Sequence, residues 1–158
     1  MRYLAIDLGD KRTGLAVGDT VTGLVGLAGQ LDVSIKANDG EQLLAAIVKA
    51  VRLHAAAGLV MGLPLNMDDS EGPRAKGVRA FAARVEQATK LAVRFQDERL
   101  TTAEADWSMA RSGLTRGQKK EKRDQIAARI LLEEFLKLEM KNQSVSSEKI
   151  DGFGEAAP

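Results

Sequence analysis

The sequence predicts an α/β domain built on a five-stranded mixed sheet with helices on both faces. Three observations carry this. The chain opens with apolar runs of strand length joined by turn chemistry and no helix. From Glu41 the hydrophobic period switches to three and four residues. Thereafter short buried runs alternate with amphipathic segments. Three meandering strands followed by strand–helix alternation give the order βββαβαβαα, which needs antiparallel and parallel pairs in one sheet.

Each element has its own signal. Tyr3–Leu8 is an apolar run, Gly9-Asp10-Lys11-Arg12 is a turn, and Thr13–Val17 resumes the apolar character, so these two strands pair antiparallel. A third strand lies between Val25 and Val33. Leu43, Leu44, Ile47, Val48 and Val51 share one helical face, and Gly58 closes that helix. Leu59–Leu63 is a buried strand stopped by Pro64. Pro73 suits the first turn of the next helix, whose buried stripe is Val78, Phe81, Ala82 and Val85. Leu91–Gln96 reads as the fifth strand. Thr101-Thr102-Ala103-Glu104 fits a capping box and predicts a helix ending near Gly113. A basic connector follows, then a last helix from about Asp124 to Lys141. Residues 1–141 are thus expected to form the domain and residues 142–158, polar and unpatterned, a disordered tail.

Composition narrows the chemistry. With no cysteine, thiolate metal sites and cysteine nucleophiles are excluded, and a lone His54 excludes a His-rich zinc site. His54 itself reads as a partly exposed surface residue. Any bound metal must be held by carboxylates, which points to magnesium (Mg2+) or manganese (Mn2+). The net charge is only +1, so contact with nucleic acid has to come from a local basic cluster. The short opening run, interrupted by Asp7, does not read as a signal peptide, and no stretch is apolar enough to span a bilayer. The expected compartment is the cytoplasm.

Three acids stand out. Asp7 lies on a strand that is apolar on both faces, where an uncompensated carboxylate costs several kcal/mol, on the order estimated for a buried ion. A cation, a basic partner or the N–H groups of the following turn could each offset that cost. Asp124 shares a helical face with Ala128, Leu131, Phe135 and Leu138 and so points toward the sheet; a plain helix-dipole role, worth about 0.3–1 kcal/mol, is the simpler reading of it alone. At the end of the fifth strand Asp97 falls in step with Leu91, Val93 and Phe95 while Glu98 takes the opposite face, and alternation does not choose between them. Acids from two strand ends and one helix start can converge on one point. Such a cluster suits hard cations that activate water and stabilise a leaving oxygen in phosphodiester hydrolysis.

Beside Asp124 lies a dense basic segment with Arg111, Arg116, Lys119, Lys120, Lys122 and Arg123, read as a loop that holds a phosphate backbone. Lys11 and Arg12 sit in the turn after Asp7, where phosphate contact and a plain exposed turn are both available. Trp107 reads most simply as a packing residue.

Four motifs in order carry a resemblance to a known family: Ile6-Asp7-Leu8-Gly9-Asp10-Lys11-Arg12-Thr13-Gly14-Leu15-Ala16-Val17, Gly62-Leu63-Pro64-Leu65-Asn66-Met67-Asp68, Asp97-Glu98-Arg99-Leu100-Thr101-Thr102, and Lys120 through Asp124 to Ala128. Over about residues 3–138 the chain resembles the YqgF family, Holliday-junction-resolvase-like proteins regarded as pre-16S rRNA nucleases. The resemblance implies an RNase H-like fold and a metal-dependent nuclease acting on structured nucleic acid, with pre-ribosomal particles among its partners. It also places the strand-end acid at Glu98, which makes Asp7, Glu98 and Asp124 the catalytic and metal-binding set. The first motif also resembles the phosphate turn of actin-like ATPases and sugar kinases, but those use two copies of the domain and this chain has one. A branched-DNA resolvase and a non-catalytic RNA- or ribosome-associated module remain as alternatives.

Overall fold

A computed structural model describes residues 1–99, 107, 110, 111 and 113–151, the side chains of 120, 121 and 148–151 excepted. Five strands, β1 (Arg2–Leu8), β2 (Thr13–Asp19), β3 (Val25–Leu31), β4 (Gly58–Leu63) and β5 (Val93–Asp97), form one sheet in the order β3-β2-β1-β4-β5. The first three pair antiparallel, whereas β1–β4 and β4–β5 are parallel. β1 is therefore the central strand, which its apolar character on both faces requires. The β1–β2 turn closes through the Gly9 N–H, which donates to the Arg12 carbonyl at 2.9 Å. A Cβ on Gly9 would stand 2.4 Å from that same oxygen, so the turn admits only glycine there.

Two helices, α1 (Glu41–Leu53) and α2 (Pro73–Thr89), cover one face. There Leu4, Ile6, Leu8 and Leu15 pack with Leu43, Ile47, Val78, Phe81 and Val85. The long α3 (Arg116–Asp151) covers the other face, packing Ala128, Leu131, Leu132, Phe135 and Leu136 on Tyr3, Ala5, Ala16 and Val60. The Tyr3 and Phe135 rings meet edge to face at 5.0 Å between centroids. Among the described residues no helix is long and apolar enough to cross a membrane.

Several boundaries differ from the sequence expectation. The helix predicted from Thr101 lies outside the described residues. The basic segment is not a loop. Thr115 Oγ1 accepts from the Gln118 N–H at 3.3 Å while Gln118 Oε1 accepts from the Thr115 N–H at 3.0 Å, a reciprocal cap that starts α3 two turns early. Leu138 is 52% exposed, because the buried stripe drifts with the 3.6-residue period through Ala128, Leu132 and Phe135 to the half-buried Glu139. Glu139 accepts there from Arg94 at 2.7 Å. Nor does helical structure stop at Lys141. It runs on to Asp151, with the Ser144, Ser146 and Ser147 hydroxyls bonded to carbonyls three or four residues back. A short 3-10 turn at Ala37–Gly40, with Asn38 and Asp39 at positive φ, leads into α1.

Candidate active site

Alternation along β1 sends Leu4, Ile6 and Leu8 under α1 and α2, so Asp7 faces α3 with Tyr3 and Ala5. Both lateral neighbours of Asp7 on that face are glycines. Gly14 is its direct partner on β2, and the β1–β4 register continued past Ile6–Met61 sets Gly62 on its other side. Each glycine makes room for another acid. A Cβ on Gly14 would lie 2.0 Å from the Asp124 carbonyl oxygen, so α3 rests its Asp124 turn directly on the strand beside Asp7. A Cβ on Gly62 would lie 2.7 Å from Glu98 Oε2, so the Glu98 side chain occupies the space above β4.

The ambiguity at the end of β5 resolves the same way. Val93 and Phe95 pack on the α1–α2 core, which carries Asp97 to that side. Asp97 is spent on Arg99, whose guanidinium donates to both of its carboxyl oxygens, while the Arg99 N–H bonds Asp97 Oδ1 at 3.0 Å. Glu98, held between them and donating its own N–H to the Leu63 carbonyl, takes the α3 side.

Asp7, Glu98 and Asp124 therefore line one cleft, together with Gly9, Arg74 and Arg123, around a cavity of about 310 Å3. Burial, then the nearby Glu98 and Asp124 charges, push the Asp7 carboxyl up to about 7, against the opposing pull of Arg74. Burial also raises Glu98, and Arg74 again opposes it. The contact between the two carboxyls adds to the rise at Asp7 and works against it at Glu98. Asp124 is raised by burial and held back by Arg12 and Arg123. The donor set is all oxygen, which is the chemistry a hard divalent cation takes. Carboxyls crowded into one cleft, the most buried of them pushed up by its neighbours' charges, suit a cation that offsets those charges. As the side chains stand, no group of three acidic or histidine residues among the described residues closes round a single point.

The basic residues separate. Arg12 and Arg123 act on Asp124, and Arg123 also lines the cleft. Arg116 and Lys122 are exposed on the first turns of α3, and Lys119 is half-buried there. Lys120 lies on the same turns, its side chain outside those described. Lys11 stays exposed in the β1–β2 turn, and His54 is partly exposed at the end of α1. Sequence reasoning missed Arg74, on the first turn of α2; its place after Pro73 gives no sign that it reaches over the strand ends. It also passed over Gly14 and Gly62, although pairing β1 with its neighbours in register would have set both beside Asp7.

An RNase H-like sheet with an acidic cleft at the end of its central strand is the class that fold and site define. The chain belongs to the RuvX family, described as Holliday junction resolvase, whose model matches residues 1–138. Among curated relatives, a protein of Rhodobacter capsulatus named "Putative pre-16S rRNA nuclease" is 43% identical over 81% of this chain and 78% of its own length. One of the same name from Myxococcus xanthus is 38% identical over 86% of this chain and 87% of its own. Among solved structures, Thermus thermophilus RuvC in complex with a Holliday junction substrate superimposes with a TM-score of 0.58 at 13% identity, covering 89% of this chain and 96% of that one, a likeness of fold.

Proposed function

We propose that this protein is a divalent-metal-dependent nuclease that hydrolyses phosphodiester bonds in structured RNA, trimming the 5′ end of pre-16S rRNA within pre-ribosomal particles in the cytoplasm. The observation that carries the reading is the convergence of Asp7, Glu98 and Asp124 on one cleft. The names of the curated relatives support the RNA substrate.

Asp7, Glu98 and Asp124 would hold Mg2+ or Mn2+, which when bound supplies an activated water and neutralises charge on the leaving oxygen. The residues prepare the cleft for this. Asp7 gives up its proton, whose raised affinity reflects burial first and then the nearby Glu98 and Asp124 charges. Arg74 and Arg123 offer guanidinium groups to the phosphate and offset the negative charge of the acids. The exposed cations on the first turns of α3 hold the neighbouring backbone and carry no base information.

The test is incubation of the purified protein with structured RNA and with a four-way DNA junction, with and without manganese, alongside Asp7→Asn. Manganese-dependent cleavage of RNA, lost by on the order of 10²–10⁴-fold in Asp7→Asn, is expected. Wild-type cleavage by the variant would overturn the reading. Cleavage of the junction alone would favour branched-DNA resolution, the activity in the family's description.

A further inference from the structure

Trp107 does not pack inside the domain, contrary to its simplest sequence reading. It is 64% exposed. The Arg111 guanidinium, four residues on in the chain, lies over its ring at 4.7 Å from the centroid. One face of the indole is thus taken by a cation and the residue as a whole stays open to solvent. Arg116, Lys119, Lys122 and Arg123 come next in the chain, and the last of them lines the cleft beside Asp124. A flat aromatic surface backed by a guanidinium and continued by cations is complementary to an unpaired nucleotide, with the base on the ring and the phosphates on the charges.

We propose that Trp107 and Arg111 form a stacking platform for an unpaired base of the nucleic-acid substrate, with the following α3 cations guiding the strand from that base to the acidic cleft. This rests on the nuclease reading and adds to it where a single-stranded part of the substrate is held. A protein partner seated on the same indole would not require a base, and that difference makes the two separable.

Trp107 is the sole tryptophan, so the intrinsic fluorescence of the full chain reports this residue alone. The chain is titrated in EDTA with a short oligouridylate and with an abasic oligomer of equal length and charge. Quenching by the oligouridylate and not by the abasic oligomer is expected. In anisotropy with labelled oligouridylate, Trp107→Ala weakens binding roughly 10-fold and Trp107→Phe less. Equal quenching by both oligomers, no quenching, or unchanged affinity in Trp107→Ala overturns the platform. Cleavage with manganese is followed on the same preparations. Cleavage without quenching overturns the platform alone, whereas base-dependent quenching without cleavage of any substrate supports the platform and overturns the nuclease reading.

Discussion

Substitution of Gly14 by alanine separates the two halves of the site with one methyl group. The added Cβ would lie 2.0 Å from the Asp124 carbonyl oxygen and 2.3 Å from its carbon, against a limit of 3.0 Å that real Cβ atoms keep. The obstacle is helix backbone, which cannot rotate away, so the Asp124 turn must lift from β2 by at least about 1 Å. Overpacking of this kind costs roughly 1–3 kcal/mol. A displacement of that size at a catalytic group costs on the order of 100-fold in rate. The assay pairs urea denaturation with manganese-dependent cleavage, and Gly77→Ala is the control. Gly77 lies within α2 with nothing near its absent Cβ, so alanine there should stabilise by roughly 0.5–1 kcal/mol and leave cleavage unchanged. If Gly14→Ala matches the wild type in both denaturation midpoint and cleavage rate, the claim that this glycine seats Asp124 beside Asp7 is wrong.

Other outcomes follow from the same site. Folded Asp7 holds its proton up to about pH 7, against 3.8 for the ordinary carboxyl, so the folded state binds more protons between those values and stability falls as pH rises through that window. Urea midpoints in EDTA should accordingly show Asp7→Asn more stable than wild type by roughly 2–4 kcal/mol at pH 8, with the difference vanishing below pH 4. Arg99→Gln releases the contacts to Asp97, Asp69 and the Asn66 carbonyl that frame Glu98, so steady-state kinetics should show kcat reduced with KM little changed. Replacing Arg116, Lys119, Lys122 and Arg123 together by glutamine should weaken RNA binding and flatten its dependence on log salt by roughly three, read by anisotropy at several salt concentrations.

Strand and helix identities were legible where an unbroken apolar run marked a strand buried on both faces, as in β1 and β4, or a helical period stood out, as in α1 and α2. The joint between Gly113 and Asp124 misled because charge density suggests a solvated connector, and the Thr115–Gln118 cap was hidden within it. The serine-rich stretch after Lys141 lacks an apolar stripe, yet it continues as helix because a helix already docked on the sheet needs no new nucleus to extend. Alternation alone could not separate Asp97 from Glu98. That choice depends on which sheet face α3 covers, a relation between elements far apart in the chain. Arg74 escaped notice for the same reason.

The first turns of α3 carry exposed cations, the next turn carries Asp124, and the turns after that are hydrophobic core, all on one continuous 36-residue helix. The completeness of the site is therefore a matter of how far helix order reaches toward its N-terminus. Fraying that stops short of Ala127 would disarm the cleft while the sheet and both cores stay intact. Amide exchange over residues 116–124 should then be governed by a small local opening energy and that beyond residue 128 by global unfolding. A polyanion bound along those turns would lengthen the ordered helix, so that the substrate would help to complete the site that receives it.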